Sequence, residues 1–182
     1  MTLFTSKRER RLWLWTLAIL VSIYSTLALT GMIAGFLRQR NLLEISFVLC
    51  LLLAVGATAV QWVKSRPGRR EIWVALGVTA AYLMVWVRIE TPEERTHLFE
   101  YGLVAIFIYQ ALTERLRNGR KVPVPAALTV VVTALLGWLD EGIQAILPNR
   151  VYDIQDVGFN ALAGLMAIVA SLVIERVRRR GD

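Results

Sequence analysis

Long runs without a single charged residue set the limits on this fold. The stretches 12–37, 45–63, 72–87, 101–113, 122–139 and 157–174 contain no Asp, Glu, Lys or Arg. A helix needs roughly 20 apolar residues to cross about 30 Å of hydrocarbon, and several of these runs reach that length. The shorter ones reach it when flanking polar side chains sit at the interface or snorkel. A chain of 182 residues that is 56% hydrophobic, with mean hydropathy +0.53, lies outside the range of an ordinary soluble domain. The expected fold is all-α: a polytopic transmembrane bundle with six spans at about 12–37, 42–63, 72–89, 97–116, 124–147 and 156–175. Residues 1–71 form a two-helix N-terminal membrane segment with basic cytoplasmic ends, and 72–182 a four-helix membrane domain.

Charge placement gives the orientation. The net charge is +7, and 16 of the 21 basic residues fall on alternate connections. Lys7, Arg8, Arg10 and Arg11 precede the first span, and Lys64, Arg66, Arg69 and Arg70 separate the second from the third. Arg115, Arg117, Arg120 and Lys121 separate the fourth from the fifth, and Arg176, Arg178, Arg179 and Arg180 follow the sixth. Positively charged connections stay in the cytoplasm, so both termini are expected there. Nine of the 14 acidic residues fall on the opposite side. This alternation reads as a topology signal near anionic lipid, and nucleic acid is not an expected partner. The basic N-terminus and its apolar run mimic a secretory signal. The run is too long for one, so an uncleaved anchor is expected.

Local signals fit a bundle. Pro123 and Pro125 suit the first turn of the fifth span, where a missing N–H costs nothing. Pro148 ends that span. Gly31 and Gly35 frame a small-xxx-small pattern for close helix packing. The six tryptophans lie mostly near span ends, as interfacial belts do. Cys50 is the only cysteine and lies inside the second span, so no internal disulfide forms.

The polar residues between apolar runs carry the functional signal. With the orientation above, His97, Glu100 and Tyr101 occupy the first outer turns of the fourth span, related as i, i+3 and i+4 on one face. Asp140, Glu141 and Gln144 occupy the last outer turns of the fifth span. Asp156 and Asn160 start the sixth, with Gly164 continuing their face, and Arg150 and Asp153 lie in the loop before it. At 1.5 Å rise per residue, Asp140 sits roughly 9–10 Å below Ile146. A carboxylate at that depth needs a partner or a wet cavity.

These residues resemble a known family. The segment from Glu93 to Leu103, with its His97-x-x-x-Tyr101 spacing, is similar to the opening motif of the VanZ-like membrane domain. Asp140-Glu141, Gln144, Pro148-x-Arg150, Asp153, Asp156, Asn160 and Gly164 resemble its closing signature, so the likeness covers about 72–175. Many relatives carry Asp-Lys where this chain has Glu93-Glu94, and a role for that lysine does not carry over. The resemblance implies a multi-pass protein of the bacterial inner (cytoplasmic) membrane and cell envelope. Some relatives are associated with low-level resistance to the lipoglycopeptide teicoplanin. No reaction comes with the family.

Each polar residue has a chemical and a structural reading. His97 suits a proton carrier or a donor to an anionic headgroup; alternatively it bonds Glu93 or Glu94. Asp140 and Glu141 suit an acid/base pair; alternatively they join Arg150 or His97 in a packing network. Arg150 suits bidentate contact with phosphate or carboxylate, or neutralisation of Asp153 or Asp156. Gln144 and Asn160 suit orientation of neighbours, and Tyr101 either ligand contact or anchoring at the interface. A divalent metal on His97, Glu100, Asp140, Glu141 or Asp156 is chemically feasible, but no dedicated ligand motif is present. No cofactor is therefore expected. The expected function is recognition of a lipid headgroup, a lipid-linked precursor or an acylated glycopeptide in an outward-facing polar pocket. The alternative is a non-catalytic accessory subunit packed into a larger membrane complex. An enzyme using the Asp140/Glu141 pair ranks below both.

Overall fold

The structure, a computed structural model, describes residues 3–40, 68–88, 92–147 and 152–179, with the side chains of 26–39, 92–94 and 96 outside that description. Five helices account for nearly all of these residues: α1 (Lys7–Gln39), α2 (Arg69–Arg88), α3 (Pro92–Arg117), α4 (Pro125–Gln144) and α5 (Ile154–Arg178). No strand occurs among the described residues. The fold is all-α, and α2, α4 and α5 are long and apolar enough to cross a membrane. The expected segments 12–37, 72–89, 97–116, 124–147 and 156–175 each coincide with a helix, whereas 42–63 lies outside the described residues.

Helix ends follow local chemistry. Proline begins both α3 and α4, with its fixed φ and missing donor in the first turn. Val124, held between two prolines, enters α4 with φ 29°, a strained conformation for a β-branched residue. α3 closes in a Schellman motif: Gly119 at φ 82° donates to the Leu116 carbonyl (3.0 Å) and Arg120 to the Arg115 carbonyl (3.2 Å). Asp153 caps α5, accepting from the Gln155 amide at 2.7 Å. α4 stops sooner than the apolar pattern predicts. After Gln144 the chain tightens, with the Ile146 and Leu147 amides bonded to carbonyls three residues back. Pro148 explains this, since a proline ring disfavours helix in the residue before it. Asp140 thus lies about 6 Å from the end of α4, nearer than the depth expected from Ile146.

α3 packs most closely on α5 and also on α1 and α4. Ile23, Val104, Ile108 and Leu112 join α1 to α3. Small residues allow α3, α4 and α5 to approach. Gly102 faces Ala163 and Ala167, Gly164 faces Thr133, and Gly137 faces Asn160. A Cβ at Gly137 would stand 2.5 Å from the Asn160 Cβ, so that contact requires glycine. The buried face of α4 is correspondingly Thr129, Thr133, Gly137, Asp140, Glu141 and Gln144. The opposite face, with Val131, Leu135 and Trp138, is exposed, as are Leu165, Val169 and Leu172 on α5. α2 rests on α5 without burying a single residue.

Candidate functional site

The two ends of the bundle differ in chemistry. The starts of α1 and α2 and the ends of α3 and α5 share one end, which gathers the basic clusters within the described residues. Arg115 Nε lies 3.2 Å from Glu9 Oε1, Arg8 Nη1 3.8 Å from Glu114 Oε2, and Arg178 Nη2 3.5 Å from Glu71 Oε2. Glu9 lies outside the apolar run and is fully buried. Burial opposes its charge, yet the Thr5 hydroxyl and amide (both 2.6 Å) and the nearby Arg115 outweigh this and hold its pKa below the usual carboxylate range. An open cavity of about 740 Å³ lies at this end, lined by Leu3, Leu112, Arg115, Gly119, Arg120, Lys121, Val122, Pro123 and Leu128. It is remote from the acidic cluster.

At the other end the polar residues of three helices converge. His97 from α3 and Asp140 and Glu141 from α4 are all buried, and each presents a ligand-capable atom within 4.8 Å of the others. His97 Nδ1 stands 3.6 Å from Asp140 Oδ2 and 3.8 Å from Glu100 Oε2. Glu141 is positioned from both sides: Gln144 Nε2 donates to one oxygen at 2.9 Å and the Asp153 amide to the other at 3.2 Å. This last bond ties the start of α5 to the end of α4.

The phenol of Tyr101, one turn after His97, donates to the Leu136 carbonyl at 3.3 Å and lies beside Asp140. Tyr101 is completely buried, which corrects the reading of it as an interface anchor. Its ring centroid lies 6.0 Å from that of His97. Asn160 is also completely buried, against Gly137. At its rim Glu100 is about one-third exposed, Asp153 exposed and Asp156 half-buried. Asp153 acts on the backbone, as cap and as donor to Glu141. Arg150 lies outside the described residues, as do the side chains of Glu93 and Glu94.

One member has no counterpart in the sequence reading. Tyr24 of α1 reaches the same Leu136 carbonyl, donating at 3.1 Å, and adds a fourth helix to the cluster's lower edge. A lone tyrosine in an apolar run looks the same whether it faces lipid or a neighbouring helix, so no periodicity could have singled it out.

No family model, curated protein or solved structure matches this chain. Its chemistry therefore rests on the residues themselves. Two buried carboxylates beside an imidazole, in surroundings of low dielectric, can exchange a proton or hold a cation or a polar head.

Proposed function

We propose that this chain is a VanZ-like multi-pass protein of the bacterial cytoplasmic membrane that recognises the polar head of an amphiphile at the outer end of its bundle. The observation that carries this reading is the meeting of buried His97, Asp140 and Glu141, from two helices, at the end away from the basic clusters, with buried Asn160 of α5 packed on Gly137 one turn away. Polar groups beneath apolar helix faces match a ligand with a polar head and an acyl or polyprenyl chain. The VanZ-like motifs add the ligand classes: a phospholipid, a lipid-linked precursor or an acylated glycopeptide. The full reading has six spans and both termini in the cytoplasm, following the positive-inside rule.

Binding of teicoplanin, a polyprenyl diphosphate and phosphatidylglycerol to the purified protein in lipid nanodiscs tests it. At least one should bind, and Asp140→Asn and Glu141→Gln should each weaken that binding tenfold or more, equivalent to about 1.4 kcal/mol. If folded variants bind as tightly as the parent, or none of the three ligands binds, the reading fails.

A second reading, an accessory subunit in a larger membrane complex, is favoured by α2. No residue of this helix is fully buried, and it presents Trp73, Leu76, Met84 and Val87 outward. Native mass measurement after mild detergent extraction discriminates, since stable co-purifying subunits support it and a lone protomer opposes it.

A further inference from the structure

We infer that His97, Asp140 and Glu141 form a binding site for a divalent first-row metal ion, with Asn160 completing its surroundings from α5. The inference goes beyond amphiphile recognition and stands without it.

Three observations carry it. The first is the donor set: one imidazole and two carboxylates, from two helices, with ligand-capable atoms within 4.8 Å of one another. Ligands around an ion at 2.0–2.2 Å are separated by roughly 3–4.4 Å, so shifts below an ångström close the shell. The His97 Nδ1 to Asp140 Oδ2 distance of 3.6 Å already lies in that range.

The second is charge. Asp140 and Glu141 are adjacent and inaccessible to solvent. Two carboxylates side by side in low dielectric repel strongly, and a divalent ion opposes both at coordination distance.

The third is Asn160, an amide independent of the acidic group. It is completely buried, and neither its Oδ1 nor its Nδ2 has a hydrogen-bond partner among the described residues. Its side chain lies over Gly137, which precedes Asp140 and Glu141 by three and four residues and so shares their face of α4. Leaving a buried amide without a partner is costly. A cation, or water bound to one, gives its oxygen a partner.

Around this shell, the Gln144 and Asp153 bonds fix Glu141, as outer partners orient metal-binding carboxylates. One nitrogen with several oxygens fits Mn²⁺, and also Zn²⁺, better than Cu⁺.

The full chain, freed of any affinity tag, is stripped with chelator in detergent and titrated with Mn²⁺ or Zn²⁺ alone, with bound metal counted after desalting. One equivalent per chain is expected. Asp140→Asn and His97→Ala should each raise Kd at least tenfold, and Asn160→Ala about tenfold. Glu175→Gln, at the basic end, should leave binding unchanged.

His97 is the only histidine in the chain, so a single imidazole ¹⁴N coupling in the spin-echo spectrum of bound Mn²⁺ identifies the site without any substitution. Less than a tenth of an equivalent bound to the parent protein would overturn the site. So would bound Mn²⁺ lacking that coupling, or unchanged affinity in folded Asp140→Asn and His97→Ala variants. Metal binding without amphiphile binding would leave the site standing and remove only the recognition reading.

Discussion

The two ends of this bundle handle buried charge in opposite ways. At the basic end, Glu9 is inaccessible to solvent yet paired: Thr5 donates twice to Oε2, and Arg115 stands 3.2 Å from Oε1. At the other end, Asp140 and Glu141 sit beside one imidazole, and Glu100 adds a further acid at the rim. One arrangement resembles a latch between helix termini. The other gathers acidic side chains of α3 and α4 around a buried imidazole. The lesson is that burial of an ionisable residue says little alone; its neighbours separate a fastening from a site.

Four substitutions break or sharpen that contrast. The largest effect is expected from Gly137→Leu. Its side chain would enter the space of Asn160 and force α4 from α5, costing 3 kcal/mol or more by the roughly 1–3 kcal/mol scale of lesser overpacking. Thermal unfolding in detergent should show a large fall in midpoint, with the basic-end contacts affected only through global unfolding.

Glu9→Gln comes next, at about 2 kcal/mol for charge-assisted hydrogen bonds. The sign of its pH dependence is fixed. Because the folded pKa lies below the unfolded 4.5, Glu9 stabilises the fold above about that pH and loses this contribution as pH falls through the folded value. The stability gap between parent and Glu9→Gln, measured from pH 7 down to pH 3, should therefore narrow in acid. A gap that widened in acid would contradict the latch.

Tyr24→Phe removes one of two hydroxyls on the Leu136 carbonyl, which keeps its bond from Tyr101. A loss of about 1 kcal/mol is expected, with α1 loosening from α4 as amide hydrogen exchange near Leu136. Arg178→Ala should matter least. Its bridge to Glu71 is half-exposed on the arginine side, and such pairs contribute up to about 1 kcal/mol. A midpoint shift comparable to that of Glu9→Gln would show that α2 depends on this bridge.

Much of the architecture was legible before any coordinates. Charge-free runs located every described helix, because hydrocarbon length and helical rise leave few alternatives. The spacing of His97, Glu100 and Tyr101, and of Asp140, Glu141 and Gln144, placed each set on one helix face. Helix ends were less legible. α4 stops at Gln144 because Pro148 acts backwards along the chain, and α5 starts at Ile154 because Asp153 caps it. Local sequence leaves open whether Tyr101 anchors at the interface or lies inside the bundle, since depth depends on the neighbouring helix; the structure buries it completely.

The amino-acid order alone determined that this chain forms apolar helices with cations gathered at alternate connections, because every term in that choice is local. It could not determine which side chains would touch. That His97 comes within 3.6 Å of Asp140, that Asn160 fills the space left by Gly137, and that Tyr24 shares a carbonyl with Tyr101 were decided by the packing of α1, α3, α4 and α5. Contacts between helices depend on rotation and separation, which small residues at the crossings set and which helical periodicity leaves free.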